Sequence, residues 1–410
     1  MTAFFWIIVL IVSISILAFY FFNFKSKAKE GLKDLYLDGL DYMMSGHRQK
    51  AYRNFKRIID SDSNNFRAYL RLGQVTREGG NPTAAIKIHR SLIVRKNITN
   101  NEKVELYKNL ALDYFELKNI DKAYEYLESL LLIDKDNVWA IFLKIKILRE
   151  KNDWNKAGSL LEKYFKAADY KDDNKRALYK IQEARSFIEN KNFEAARRVL
   201  DEALSIDPSL AISYYFIGDS YSKESDEKYK QGEEIRKKLQ ISENNSHPDI
   251  DGYYNDAKQL LSKSIDNWVI YTARAPKQSW LVIHLLMDAL LALNRFSEFE
   301  NILQEILDKD PNNMEVTATL ADIYDQEGKN SQAMELIDKV LASDDSSLLI
   351  KLTQLKLQSR NPEKSKNLRK QLDSLIHFLV TDERFQRYKN TSRDSDVLWL
   401  YEASGDDIPE

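Results

Sequence analysis

A fixed internal period constrains this chain more than any other feature. Gly39 recurs as Gly73 and Ala51 recurs as Ala85, each 34 positions on. Within each unit a small residue precedes an alanine by 12, from 39 to 51 and again from 73 to 85. Small side chains at that spacing sit where two helices cross closely, and a larger one would force the helices apart. Large apolar fillers stand around them: Leu35, Tyr42, Phe55 and Ile58 in the first unit, and Tyr69, Leu72 and Leu92 in the second. One helix pair cannot bury both its faces, so the unit makes sense only as part of a stack. Composition agrees, because 12 glycines and 7 prolines in 410 residues leave little to break helices.

A 34-residue helix–turn–helix pair is the spacing of the tetratricopeptide repeat. The expected fold is all-α, a right-handed superhelical solenoid of eight to nine such pairs over residues 25–380. The third pair carries Ala111 and Ala123, and the fourth keeps Ala157 with Ile145 in place of the small residue. The fifth contains Ala196, Ala203 and the helix-stopping Pro208. In the sixth, Gly218 and Ala257 stand 39 apart instead of 12, an excess of 27 that marks an insertion. That insertion, residues 223–252, begins helix-prone and ends in the loop-like stretch 242–248, either a solvated excursion or a partner-binding one. The seventh pair runs from Lys277 to Lys309, the eighth carries Ala321 and Ala333, and a weaker pair covers 346–380. Residues 381–410 lose the period and are expected to form a degenerate tail.

Ala3 to Phe22 is an unbroken run without a charge. A helix of about 20 residues rising about 1.5 Å at each would reach roughly 30 Å, the thickness of a bilayer's hydrocarbon core. Trp6 and Tyr20 lie near the ends of the run, where interfacial aromatics belong, and Lys25, Lys27 and Lys29 follow it. One N-terminal transmembrane helix within residues 1–24 is expected, with the repeats on the cytoplasmic side. The competing reading, a cleaved signal peptide, lacks a basic leading region and a small-residue cleavage site.

Charge and residue usage exclude several functions. The 61 basic and 63 acidic residues nearly cancel, so no global field recruits nucleic acid. There is no cysteine, which removes disulfides, thiol catalysis and thiolate metal ligation and suits a reducing compartment. The five histidines, at 47, 89, 247, 284 and 377, form no metal-spaced pair. No glycine-rich phosphate loop or nucleophile elbow is present. The stretch from Asp60 opens like a calcium loop, but Asn65 replaces its glycine and Arg71 its closing glutamate. No enzyme activity, cofactor, metal or small-molecule substrate is expected. Protein binding is the chemistry that remains.

In a stack of this kind the first helix of each pair lines the concave groove, and its non-core positions face a ligand. Counted from the small residue, these are Arg67, Leu70, Arg71, Gln74 and Arg77 in the second pair. In the third they are Lys108, Asn109 and Leu112, and in the fourth Trp139, Phe142, Lys146 and Arg149. Cations among aromatics suit a peptide carrying carboxylates and apolar anchors, although an ordinary solvated helix face has the same residues. On the groove reading, charge reversal at Arg71 and Arg77 weakens partner capture without unfolding the stack.

Leu72-Gly73, Arg77, Gly80 and above all the run Ala85-Ile86-Lys87-Ile88-His89-Arg90-Ser91-Leu92 go beyond a generic repeat. With Tyr36, Gly39 and Leu40 before them and Asp113-Tyr114 and Asp121-Lys122-Ala123 after, they resemble the lipopolysaccharide assembly protein B family over residues 1–130. The family motif falls on Ala85, Ile86, His89 and Arg90. Members also end in a rubredoxin-like metal domain with paired cysteine knuckles. Arg387-Tyr388 and Leu398-Trp399-Leu400 resemble remnants of it, with Asn390, Arg393, Tyr401 and Ser404 where cysteines would fall. None of these supplies a thiolate, so no iron or zinc role carries over. The resemblance implies a non-enzymatic adaptor in the bacterial inner membrane, single-pass, with its solenoid in the cytoplasm. Its implied task is regulation of lipopolysaccharide synthesis, by bringing the lipid A deacetylase to the FtsH membrane protease. The alternative is an assembly factor for another cell-envelope complex, such as a pilus, secretion or cell-wall machine.

Overall fold

The computed structural model describes residues 31–240, 247–343 and 347–359, together with Leu368, Gln371 and Leu375. Regular structure among them is entirely helical. The expected membrane helix at 1–24 and the tail at 381–410 lie outside the described residues. Among the described residues no helix is long and apolar enough to cross a membrane.

Helix α1 covers residues 31–44 and pairs with α2 (Arg48–Ser61). The next pairs are α3 (Phe66–Glu78) with α4 (Pro82–Ile93), and α5 (Asn100–Glu116) with α6 (Ile120–Ile133). Then come α7 (Val138–Glu150), α8 (Trp154–Ala167), α9 (Asp173–Glu189) and α10 (Phe193–Ile206). The sixth pair is α11 (Ile212–Lys238) and α12 (Pro248–Arg274). A 3-10 turn, Pro276–Leu281, leads into α13 (Ile283–Ala292) and α14 (Ser297–Lys309). The last elements are α15 (Met314–Gln326), α16 (Asn330–Ser343) and α17 (Leu348–Ser359). α17 supplies the first helix expected in the weaker terminal pair.

Asparagines set where these helices begin. The side chains of Asn65, Asn81, Asn119, Asn137, Asn192 and Asn313 each accept a hydrogen bond from the backbone N–H three residues on. That satisfies one of the donors a helix start leaves unpaired. α5 uses Thr99 and Glu102 in a reciprocal capping box instead. The turns inside pairs repeat as well. Gly80 and Lys118 both have positive φ, and the next N–H in each turn bonds back to Thr76 and Tyr114 carbonyls respectively. Lys118 takes that left-handed conformation at a cost of about 1–2 kcal/mol that the glycine avoids.

The chain forms two compact units. Among the described residues, unit 1 comprises 31–151 with Leu160–Tyr170, and unit 2 comprises Asn152–Ser159 with those from Lys171 onward, so the division runs through α8. In both units the small residue of a first helix is explained by what lies on it. A β-carbon at Gly39 would meet the Phe55 ring at 2.8 Å, one at Gly73 would meet His89 at 2.2 Å, and one at Gly218 would meet Trp268 at 2.4 Å. Phe55 and His89 each stand 16 positions after their glycine, four beyond the buried Ala51 and Ala85.

That register corrects the sixth pair. Trp268 opposes Gly218, so the small residue of its second helix is the fully buried Ser264, four before Trp268, and not Ala257. Ser264 stands 46 positions after Gly218 instead of 12, so the insertion is one full period long. Most of the insertion's described residues are helical. The insertion lengthens both helices to 27 residues, about 40 Å at helical rise. Gly218, Ser225 and Gly232 recur every seven residues along α11. Ser225 donates to the Ala257 carbonyl (2.7 Å), and Gly232 lies against Tyr254. A seven-residue stripe of small residues keeps two antiparallel helices in close contact beyond the body of the repeat.

Near the far end of this hairpin, Tyr254 donates to the Glu233 carboxylate and its ring lies tilted beside Tyr229, centroids 5.1 Å apart. Burial and that hydrogen bond push its phenol up to about 12. The folded form therefore holds this proton more tightly than an exposed tyrosine does. The stabilisation is complete below pH about 10 and is lost as the pH rises through the folded value. Absorbance titration of the phenolates should lose a component near pH 12 in Tyr254→Phe. An unchanged titration would contradict the assignment.

Candidate functional site

The residues that carry the family resemblance converge in unit 1. His89, on α4, is fully buried beneath Gly73 of α3. Its Nε2 lies 3.0 Å from the Leu70 carbonyl oxygen and donates to it, while Nδ1 faces Asp113 Oδ2 at 2.5 Å. Asp113, on α5, is also fully buried, and its other oxygen accepts from Arg77 Nη1 at 2.8 Å. Arg77 Nη1 further donates to the carbonyl and side-chain oxygens of Asn109. Asn109 in turn donates to the Glu105 carbonyl. One buried network thus joins the second pair to the third. With both members fully buried, the His–Asp couple is a brace between helices and offers no surface to a substrate.

The placement sorts the expected groove residues. Arg77 and Asn109 are committed to this network, and Leu70 is buried core. Charge reversal at Arg77 would therefore act on the fold first, which corrects the expectation of an unaffected stack. Arg67 is exposed, and the half-buried Arg71 donates to Gln74, which donates to Glu78 along the same helix face. Lys108 lies 4.9 Å above the Trp139 ring, and Lys146 lies 5.8 Å above Phe115. Phe142 packs against Tyr164 with centroids 5.8 Å apart. Leu112, Trp139, Phe142 and Arg149 are half-buried. The two aromatics have packing partners within the unit, so their presence on the first-helix face does not by itself require a ligand. Of the motif residues, Ala85 and Ile86 are buried and Arg90 is exposed.

Unit 2 holds a groove that the expectation did not include. It encloses about 650 Å³ between α13, α15 and α17. Trp280, Ile283, Met287, Phe296, Ile323 and Leu349 give it an apolar floor, and Glu315, Asp322, Gln326 and Lys356 stand among its lining. Lys356 pairs with Asp322, while Glu315 is exposed and has no paired cation among the described residues. Leu291 and Leu349 remain 51% and 40% exposed, so apolar surface is open to a partner. The sequence signal was available. Counting back six and three and forward one from Ala321 gives Glu315, Ala318 and Asp322, all in the lining. What the count cannot give is the short α13, 10 residues against 13 for α15, preceded by a 3-10 turn.

Among the described residues no cluster of three His, Cys, Asp or Glu side chains could hold a metal. The knuckle-equivalent positions Asn390, Arg393, Tyr401 and Ser404 lie outside the described residues, and the absence of cysteine excludes thiolate ligation there.

Comparison with known proteins matches a tetratricopeptide repeat model to residues 300–357, across this groove. Lipopolysaccharide assembly protein B of Escherichia coli K12 is 22% identical over 176 residues, 43% of this chain and 45% of that protein. The Haemophilus influenzae protein of the same name is 23% identical over 326 residues, 77% of this chain and 72% of that one. A solved structure, the C-terminal part of a TPR repeat-containing protein from Cytophaga hutchinsonii, has 14% identity. It covers 68% of this chain and 97% of its own, with a TM-score of 0.38. The chain thus spans about half the length of the Escherichia coli relative. It is an all-helical protein of tetratricopeptide-like repeats, similar to lipopolysaccharide assembly protein B.

Proposed function

We propose that this chain is a protein-binding adaptor, tethered to the inner membrane by residues 1–24, that regulates lipopolysaccharide synthesis. On this reading it brings the lipid A deacetylase to the FtsH membrane protease and makes or breaks no bond itself. The observation that carries the reading is that the two units offer docking faces of different chemistry. The first-helix face of unit 1 presents Arg67, Arg71 and Lys108, whereas the groove of unit 2 is apolar with an exposed carboxylate. Unlike faces suit unlike partners. Confinement near one membrane then raises the partners' effective concentration without demanding tight pairwise contacts. The similarity to lipopolysaccharide assembly protein B supports lipopolysaccharide assembly as the setting in which those partners are sought.

The test is crosslinking recovery with the full chain from native membranes. An envelope protease and a lipid A enzyme should both be recovered. Arg67→Glu with Lys108→Glu should lower recovery of one partner about ten-fold, and Leu291→Asp with Leu349→Asp should do so for the other. Recovery of neither enzyme from the unmodified chain would remove the proposed task.

A further inference from the structure

We propose that the outer sides of α2 and α4 form one basic surface that lies against anionic lipid headgroups and gives unit 1 a second hold on the membrane. The contact rests on the tether of the adaptor reading and adds to it a docked face. α2 carries Arg48, Lys50, Arg53, Lys56 and Arg57, all exposed, and its one carboxylate, Asp60, pairs with Lys56 at 3.0 Å. α4 carries the exposed Lys87 and Arg90 and no carboxylate. Among the described residues, Arg48, Arg53, Arg57, Lys87 and Arg90 have no ion-pair partner. At about 100° of turn for each residue, Lys50, Arg53 and Arg57 fall within about 60° of one another. They stand opposite the buried Ala51 and Phe55.

The repeat supplies its own control. Positions two and five beyond the small residue of a second helix are Arg53 and Lys56 from Ala51, and Lys87 and Arg90 from Ala85. The same count gives Glu125 and Glu128 from Ala123, and Glu335 and Asp338 from Ala333. From Ala157 it gives Ser159 and Glu162, and from Ala196 it gives Arg198 and Asp201. Both places are basic in the two pairs that follow the N-terminal apolar run and in none of these later ones. Charge kept for solubility alone has no reason to change sign along the stack.

Position favours a bilayer over other polyanions. Asn54 of α2 donates to the Leu35 carbonyl of α1 (3.5 Å), so Arg53, Lys56 and Arg57 lie beside the first turns of α1. α1 begins at residue 31, seven positions after the tether's end at 24. Seven residues span at most about 25 Å, so the basic surface stays near the headgroups however that link runs. Lys25, Lys27 and Lys29 within the link have the same sign. Arg95 donates to the Ser63 carbonyl (3.0 Å) and joins the end of α4 to the turn after α2. Beside it Val94 is 84% exposed, an apolar group suited to the headgroup boundary. Each cation near an anionic leaflet contributes about five-fold in affinity.

The absence of native cysteine makes the test direct. Gln49→Cys, one turn before Arg53 on the exposed side of α2, carries a fluorophore on the full chain. The chain is reconstituted into vesicles of phosphatidylcholine, or of phosphatidylcholine and phosphatidylglycerol in equal parts, each with a trace of spin-labelled headgroup lipid. Quenching should be several-fold stronger with phosphatidylglycerol. Arg53→Glu with Lys87→Glu should return it to the phosphatidylcholine level with helicity unchanged. So should salt at about 1 M, which shortens the screening length to about 3 Å. Equal quenching in both vesicles, or quenching that ignores the two glutamates, would overturn the proposal. So would protection of the unlabelled Gln49→Cys thiol by polyglutamate without any response to phosphatidylglycerol, which would assign the surface to an acidic polypeptide. Retention on phosphatidylcholine vesicles in high salt reads the tether separately, so a failed tether and a failed lipid contact give different results.

Discussion

Replacing Asp113 by alanine should destabilise unit 1 by about 3–5 kcal/mol, because it leaves two donors buried without their acceptor. Asp113 is fully buried between Arg77 and His89; the Arg77 side chain is 9% exposed and His89 not at all. The loss should appear as an earlier urea transition and as faster amide exchange across α3 to α6. A triple replacement of Arg77, His89 and Asp113 by apolar residues should recover much of the loss, since breaking a buried charged network costs more than deleting it. A change below about 1 kcal/mol in Asp113→Ala would mean that the network is solvated and braces nothing.

Trp268→Ala should cost unit 2 a similar amount, about 3–5 kcal/mol, through lost burial and the cavity left behind. Trp268 is 1% exposed, the largest of the fully buried side chains, and its indole N–H reaches the Tyr215 carbonyl at 3.3 Å. It also occupies the space that Gly218 leaves open, so the two positions are coupled. Gly218→Ala alone should destabilise by about 1–3 kcal/mol through overpacking. Added to Trp268→Ala, it should cost nothing or return stability, because the new methyl group enters the cavity. Strict additivity in that thermal-melt cycle would show that the two residues do not share one space.

These two sites also mark how much was legible beforehand. The glycines at 39, 73 and 218 could be singled out from spacing alone, because a close helix crossing permits little else. Which side chain each one accommodates could not. At Gly73 the occupant is a histidine, and a buried histidine requires a hydrogen-bond partner for each ring nitrogen, supplied by a carbonyl on α3 and a carboxylate on α5. Arg77 shows the same limit. Its place on the first-helix face follows from the period, but its partners Asn109 and Asp113 stand 32 and 36 positions away and are set by the stacking of pairs. The insertion was readable as extra length. Its form as two extended helices depended on Gly218, Ser225 and Gly232 meeting α12 in register.

Sequence by itself determined the repeat, the presence of an insertion in the sixth pair and the exclusion of thiol chemistry, because each depends on spacing along the chain or on composition. Tertiary structure decided which face residues are braces and which are free. It also decided that an apolar groove opens in unit 2 beside the shortened α13. Burial and pairing are properties of neighbouring pairs, and the repeat's period fixes only where such neighbours meet.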